Sequence, residues 1–224
     1  MNMWHVFGGE MKRILSALAL LFLFAPQLSA EVLSVDLHFE PSTAPPAEKI
    51  VSVVKGFRGV RINSFTDMRS VPETYLGELR LNGQLQAIHS KTALSVYASD
   101  AFRRIYGEWG GKISPDGPLV LKGEITQLAF EESEGYQAKI GIHLFLLDDS
   151  GRILWDGHSS GIVRGTGKSV GTENISALLS DILRATYNEM LEDDKLVGVW
   201  SGRVSNTYVI RGDASSSASA KNEK

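Results

Sequence analysis

Residues 137–147 carry the most regular hydrophobic alternation in the chain. Ala138, Ile140, Ile142, Leu144 and Leu146 fall on one side of a two-residue period, and Lys139, Gly141 and His143 on the other. This pattern predicts a pleated strand with one buried face and one at least partly wet face. Phe145 and Leu147 share the second face, so its far end is expected to be covered. Asp148-Asp149-Ser150-Gly151 follows, a run of turn-forming residues between two apolar strands, and it predicts a hairpin. The return strand, residues 152–164, places Ile153, Trp155 and Val163 on one face. Its Gly157 and Gly161 predict a bulge or a close approach of another backbone. Upstream, Leu119, Leu121 and Ile125 alternate, and Leu128 and Phe130 then take the opposite phase. A bulge near Gln127 accounts for that shift, and so does a strand ending there. These three strands, within residues 118–165, are the part on which the rest of the chain is expected to pack.

Two further strands come earlier, one at residues 31–39 with Val35, Leu37 and Phe39 in alternation, one at 59–65 with Val60 and Ile62 inward. Pro41 to Pro46 is a turn or linker that cannot join a central strand. Residues 50–54 are apolar but too short to assign, and the twenty residues up to Ser90 show no firm period. Helical spacing returns twice. Ala98, Ala101, Phe102, Ile105 and Trp109 form one apolar stripe of a helix capped by Ser95 and ended by Gly110-Gly111. Ile175, Leu178, Leu179, Ile182, Ala185 and Met190 form a broader stripe on a helix from Thr172 or Asn174 to about Asp193. Burying each large side chain of such a stripe contributes roughly 1.5–3 kcal/mol, which marks both helices as core elements. The fold class is therefore α+β: an antiparallel-rich sheet of about five strands with two helices on one face.

The ends of the chain change the picture. Lys12 and Arg13 precede an apolar run that closes in Leu28-Ser29-Ala30, the layout of a secretory signal and too short for a membrane span. Met11 suits a signal start better than Met1 does, so residues 1–10 read as a mis-called start and residues 1–30 are set apart from the fold. One domain is expected over 31–200, with about 190 residues left to form it. Residues 201–224 drift into Ala214-Ser215-Ser216-Ser217-Ala218-Ser219-Ala220, a composition that buries too little to fold. Loss of Glu10, Lys12 and Arg13 moves the formal charge from −3 to −4, a mild acidity that argues against a general nucleic-acid or anionic-membrane partner. The sequence contains no cysteine, hence no disulfide, thiolate zinc site or thiol nucleophile. Leu28-Ser29-Ala30-Glu31 looks like a bacterial lipoprotein box with glutamate where the acylated cysteine belongs, so no lipid anchor is expected there.

A resemblance rests on Gly59-Val60-Arg61-Ile62 leading to Phe65-Thr66-Asp67-Met68-Arg69, then Tyr75-Leu76-Gly77, the helix ending at Gly110, the strand 119–128, the hairpin and the last helix. In these features, across most of 34–195, the chain resembles the YajG-like lipoproteins of Gram-negative envelopes and, more loosely, the auxiliary lipoproteins of envelope ABC transporters. The resemblance implies an α+β envelope protein with no established chemistry. The departure is Glu31, where that family carries its lipidated cysteine.

Four residues stand out as candidates for binding. If Ser150 and Gly151 are the two loop residues, His143 and His158 face each other across the hairpin, with Asp156 nearby. Two imidazoles so placed could share a metal, yet two ligands are fewer than a stable zinc site uses, and surface histidines of a sheet are the simpler reading. Asp67 and Arg69 follow a strand end, where binding residues often lie and where capping pairs are commoner. Gly167-Lys168-Ser169 has the tail of a phosphate-loop motif, but Ile162 stands where the motif's first glycine belongs. Arg211-Gly212-Asp213 is a three-residue match to an integrin tripeptide, of a length that chance supplies. No cofactor and no catalytic set is expected. The expected function is an accessory or binding component of an envelope assembly, periplasmic, with envelope proteins as partners. The alternative is a small-ligand-binding protein or enzyme with Asp67, Arg69 and His143 lining one pocket.

Overall fold

The computed structural model describes residues 33–42, 45–81, 84–132, 136–165 and 174–203, all within the unit Val32–Lys224. The signal segment, the Gly167-Lys168-Ser169 loop and the tail with Arg211-Gly212-Asp213 lie outside the described residues. In chain order the elements are β1 (Leu33–Val35), α1 (Glu48–Lys55), β2 (Val60–Ile62), β3 (Thr66–Asp67), β4 (Tyr75–Leu81) and β5 (Gln84–Ser90). They continue with α2 (Leu94–Glu108), β6 (Leu119–Glu132), β7 (Tyr136–Asp148), β8 (Ile153–Gly165), α3 (Ile175–Met190) and α4 (Asp194–Trp200). The class is α+β, and it holds two sheets where the sequence predicts one. The larger is ordered β2-β6-β7-β8, with β3 also on β6; the smaller is ordered β1-β5-β4.

The large sheet is the predicted three-strand stretch with a parallel addition. β6, β7 and β8 pair antiparallel, while β2 and β3 join β6 in parallel. Ala138, Ile140, Ile142, Leu144 and Leu146 are fully buried, as the alternation requires. The phase change in β6 is a bulge: pairing with β7 shifts between Ile125 and Gln127, and the strand runs on to Glu132. The hairpin turn has three residues where the sequence predicts two. Asp148 N–H donates to the Arg152 carbonyl at 3.0 Å, and Gly151 takes the left-handed φ of 85° that such a turn demands. This offset alone would separate His143 from His158. A second bulge, with Leu147 opposite Ile153 and Leu146 opposite Trp155, inserts Leu154 and restores their pairing. The same bulge buries Leu154 and Trp155 side by side and turns Ile153 out to 49% exposure, so Ile153 does not share the Trp155 face.

α3 covers one face of β7 and β8, and α2 packs beside it on that side of the sheet. Gly161 permits the contact: a Cβ there would stand 2.0 Å from the Ile182 carbonyl oxygen of α3. α2 starts at Leu94 after Ala93, with Ser95 buried inside its first turn, so Ser95 is not the cap. Its end follows the prediction. Gly110 has φ 84°, and Gly110 and Gly111 N–H donate to the carbonyls of Gly107 and Tyr106, a Schellman pair. On α3, Ala185 is half-buried, and Leu183 and Tyr187 join the buried stripe.

Three pieces lacked a readable period. α1 is an amphipathic helix over the short apolar run at 50–54. β4 and β5 form the hairpin of the small sheet, and β1 pairs parallel to β5. A register shift between Tyr75 and Gly77 leaves the buried residues Leu76 and Leu79 three apart, which hides the two-residue period. α4 is capped by Asp193, whose carboxylate accepts from the backbone N–H of Lys195 and Leu196. Trp200 at its end stacks on Phe57 with centroids 4.6 Å apart and on Tyr106 at 5.3 Å, drawing α1, α2 and α4 into one aromatic core.

Candidate functional site

The core face of the large sheet belongs to the helices; the outer face is where polar chemistry collects. Registers give its layout. Glu124 of β6, His143 of β7 and His158 of β8 lie in one row, Lys122, Phe145 and Asp156 in the next, and Val120 and Leu147 beyond. Towards the other end come Lys139 opposite Ile162 and Gln137 opposite Arg164. Asp156, His158, Ile162 and Arg164 are exposed.

His143 and His158 face each other as the sequence predicts. Their rings stack with centroids 4.1 Å apart and planes 16° apart, and Phe145 lies against His143 at 4.2 Å. His143 Nδ1 is 3.9 Å from a Glu124 carboxylate oxygen and its Nε2 is 3.6 Å from one of Asp156. Stacking sets the ring nitrogens side by side and does not converge them on a point. Among the described residues no group of three His, Cys, Asp or Glu side chains is placed to hold a metal ion.

Asp67 and Arg69 do something else. Arg69 Nη2 and Nε donate to Asp67 Oδ2 and Oδ1 at 2.7 and 2.9 Å, and Nη2 also donates to the Tyr75 carbonyl at 2.8 Å. The two side chains are 8% and 1% exposed. This closed bidentate pair ties the exit of β3 to the start of β4. The parallel register sets Asp67 beside Ile125 on the core face, whereas Thr66 shares the outer face with Glu124. The sheet therefore stands between Asp67 and His143. The expectation that Asp67, Arg69 and His143 line one pocket fails on this geometry.

Sequence reasoning missed one charged group with a structural task at the far end of the sheet. Asp193 Oδ2 accepts from Trp155 Nε1 at 2.9 Å while Oδ1 caps α4. Burial alone would raise its pKa, but the bonds from the indole and from the Leu196 and Lys195 amides prevail and hold it below the usual carboxylate range. The signal was present as Asp193-Asp194 ahead of Leu196 and Val199, a capping pattern in a segment too short to show a helical stripe.

No family model matches this sequence, and no curated protein matches it. Solved structures do. Protein XCC0632 from Xanthomonas campestris, of family-model DUF330, is 14% identical at a TM-score of 0.49, covering 78% of this chain and all 100% of its own. The hypothetical protein CT253 from Chlamydia trachomatis is 9% identical at a TM-score of 0.43, over 66% of this chain and 99% of that one. Lipoprotein GNA1162 from Neisseria meningitidis is 10% identical at a TM-score of 0.32, over 58% and 99% respectively.

Proposed function

We propose that the chain is an exported periplasmic protein of the cell envelope that binds other envelope proteins and performs no catalysis. Export rests on the signal pattern of residues 1–30, and the absence of cysteine leaves Glu31 without a lipid. Binding rests on one observation above the others: among the described residues β8, 13 residues long, ends the large sheet and pairs along one side only. Ser160 N–H points away from β7 and is taken by the Glu189 carboxylate. By the alternation of an antiparallel ladder, the backbone groups of Asp156, His158, Ile162 and Arg164 point outward in the same way. Such an edge, flanked by the exposed Ile162, receives an added strand from a partner.

The test is Ile162→Pro in the full-length protein. Its N–H faces away from β7, so proline removes an outward donor without breaking the β7 ladder. Mild cross-linking in intact cells should recover specific envelope proteins with the unsubstituted chain, bearing a mature N-terminus at Glu31, and lose them with Ile162→Pro at an unchanged melting temperature. An unchanged cross-linking pattern in a folded Ile162→Pro protein would sink the reading, as would a solitary wild-type monomer.

A further inference from the structure

At the turn end of the outer face lies a cleft of about 200 Å³, independent of the β8 edge, lined by Arg61, Asn63, Val120, Lys122, Leu147 and the turn residues 148, 149 and 151. Its floor is apolar, since Val120 and Leu147 are each 8% exposed. Among the described residues its cations have no ion-pair partner. Arg61 is half-buried, and its Nε is shielded from water with no hydrogen-bond partner among those residues, a costly state for a guanidinium. Arg61 pairs with Val120 across β2 and β6, so Lys122, two residues on and on the same face, is its diagonal neighbour. The two positive charges thus converge on one small volume with the Asn63 amide beside them.

The acidic wall offsets them only in part. Asp148 is already engaged: the Ser150 hydroxyl donates to it at 2.6 Å, and Arg152 holds it through its backbone N–H at 2.9 Å and its guanidinium at 3.0 Å. These bonds, the Ser150 hydroxyl first, keep its carboxyl below the usual range. Asp149 is exposed at the turn. A guanidinium and an ammonium side by side favour a doubly charged oxyanion over a carboxylate, because the second charge is matched too. The cleft also exceeds the size of the anion, leaving Val120 and Leu147 to receive an uncharged remainder.

We propose that this cleft binds an organic phosphate monoester, with Arg61 and Lys122 clamping the phosphate and the remainder lying over Val120 and Leu147. The probes are glycerol 3-phosphate, inorganic phosphate and, as monoanion, acetate, titrated into the full-length protein by calorimetry. Glycerol 3-phosphate should bind, more tightly than inorganic phosphate, with acetate weakest. Lys122→Gln is an exposed change that leaves the fold intact, and it should weaken binding about tenfold or more; Arg61→Gln should do at least as much. Vesicles of phosphatidylcholine carrying phosphatidic acid locate the source. Pelleting that is lost in Lys122→Gln assigns a lipid headgroup, and binding of glycerol 3-phosphate without pelleting assigns a soluble phosphate. No heat and no pelleting at millimolar ligand, or binding that survives both substitutions, overturns the proposal.

Discussion

The Asp67–Arg69 pair is the sharpest place to separate a structural role from a binding one. Replacing Asp67 with alanine leaves a guanidinium that is 8% exposed with the Tyr75 carbonyl as its remaining acceptor among the described residues. Removing one partner of a buried pair costs about 3–5 kcal/mol, because the other charge stays desolvated and uncompensated. Against a domain stability of roughly 5–15 kcal/mol that is a large share. It corresponds to a fall in melting temperature on the order of 10 °C for a chain of this size. The double variant Asp67→Leu/Arg69→Met removes both charges and should lose less than about 2 kcal/mol, since an apolar pair of similar volume often substitutes for a buried ion pair. Urea unfolding followed by circular dichroism reads both values, and the singles Asp67→Leu and Arg69→Met close the cycle that gives the coupling between the residues. Asp67→Ala within about 1 kcal/mol of the parent, or a double variant worse than the single, would refute the structural assignment.

Other outcomes follow from the core. Tyr187 is fully buried and its hydroxyl has no partner among the described residues, so Tyr187→Phe should raise stability, by about 1–3 kcal/mol if the hydroxyl's whole desolvation cost is recovered; a loss on urea unfolding would show a hidden partner. Asp193→Ala removes the α4 cap and orphans the Trp155 indole, and should cost about 2–4 kcal/mol. The folded carboxyl of Asp193 is lowered, so its contribution is complete above the unfolded carboxylate pKa and disappears as pH falls through the lower folded one. Asp193→Asn should flatten that acid limb in melts taken from pH 6 downward, and an unchanged limb would count against the assignment. Gly161→Ala places a methyl 2.0 Å from the Ile182 carbonyl oxygen, and thermal melts should show about 1–3 kcal/mol lost as α3 is pushed off β8.

What could be read ahead of the structure divides by length scale. β7 and the stripes of α2 and α3 are long enough for their periods to declare themselves, and the residues they nominate are nearly all buried. The facing of His143 and His158 emerged from an incorrect turn length, because the bulge at Leu154 makes up the residue that the three-residue turn displaces. That compensation leaves no trace in a hydrophobic pattern. β4 was illegible for a related reason: its bulge near Leu76 sets two buried leucines three apart. Pairing across the sheet is a long-range property, so nothing in 66–69 announces that Asp67 shares the core face with Ile125. The Arg61 cleft draws on β2, β6 and the hairpin turn, three segments up to ninety residues apart, which no local motif connects.

We propose that partners engage the edge of β8. This is tested most directly by placing a photo-cross-linking residue at His158 or Ile162 and, as controls, at Ser52 of α1 or Asp100 of α2, all exposed positions. Illumination of intact cells should give the same discrete protein adducts from the two β8 positions and none from the helix positions. Adducts that are equal at all four sites, or absent from β8, would contradict the account.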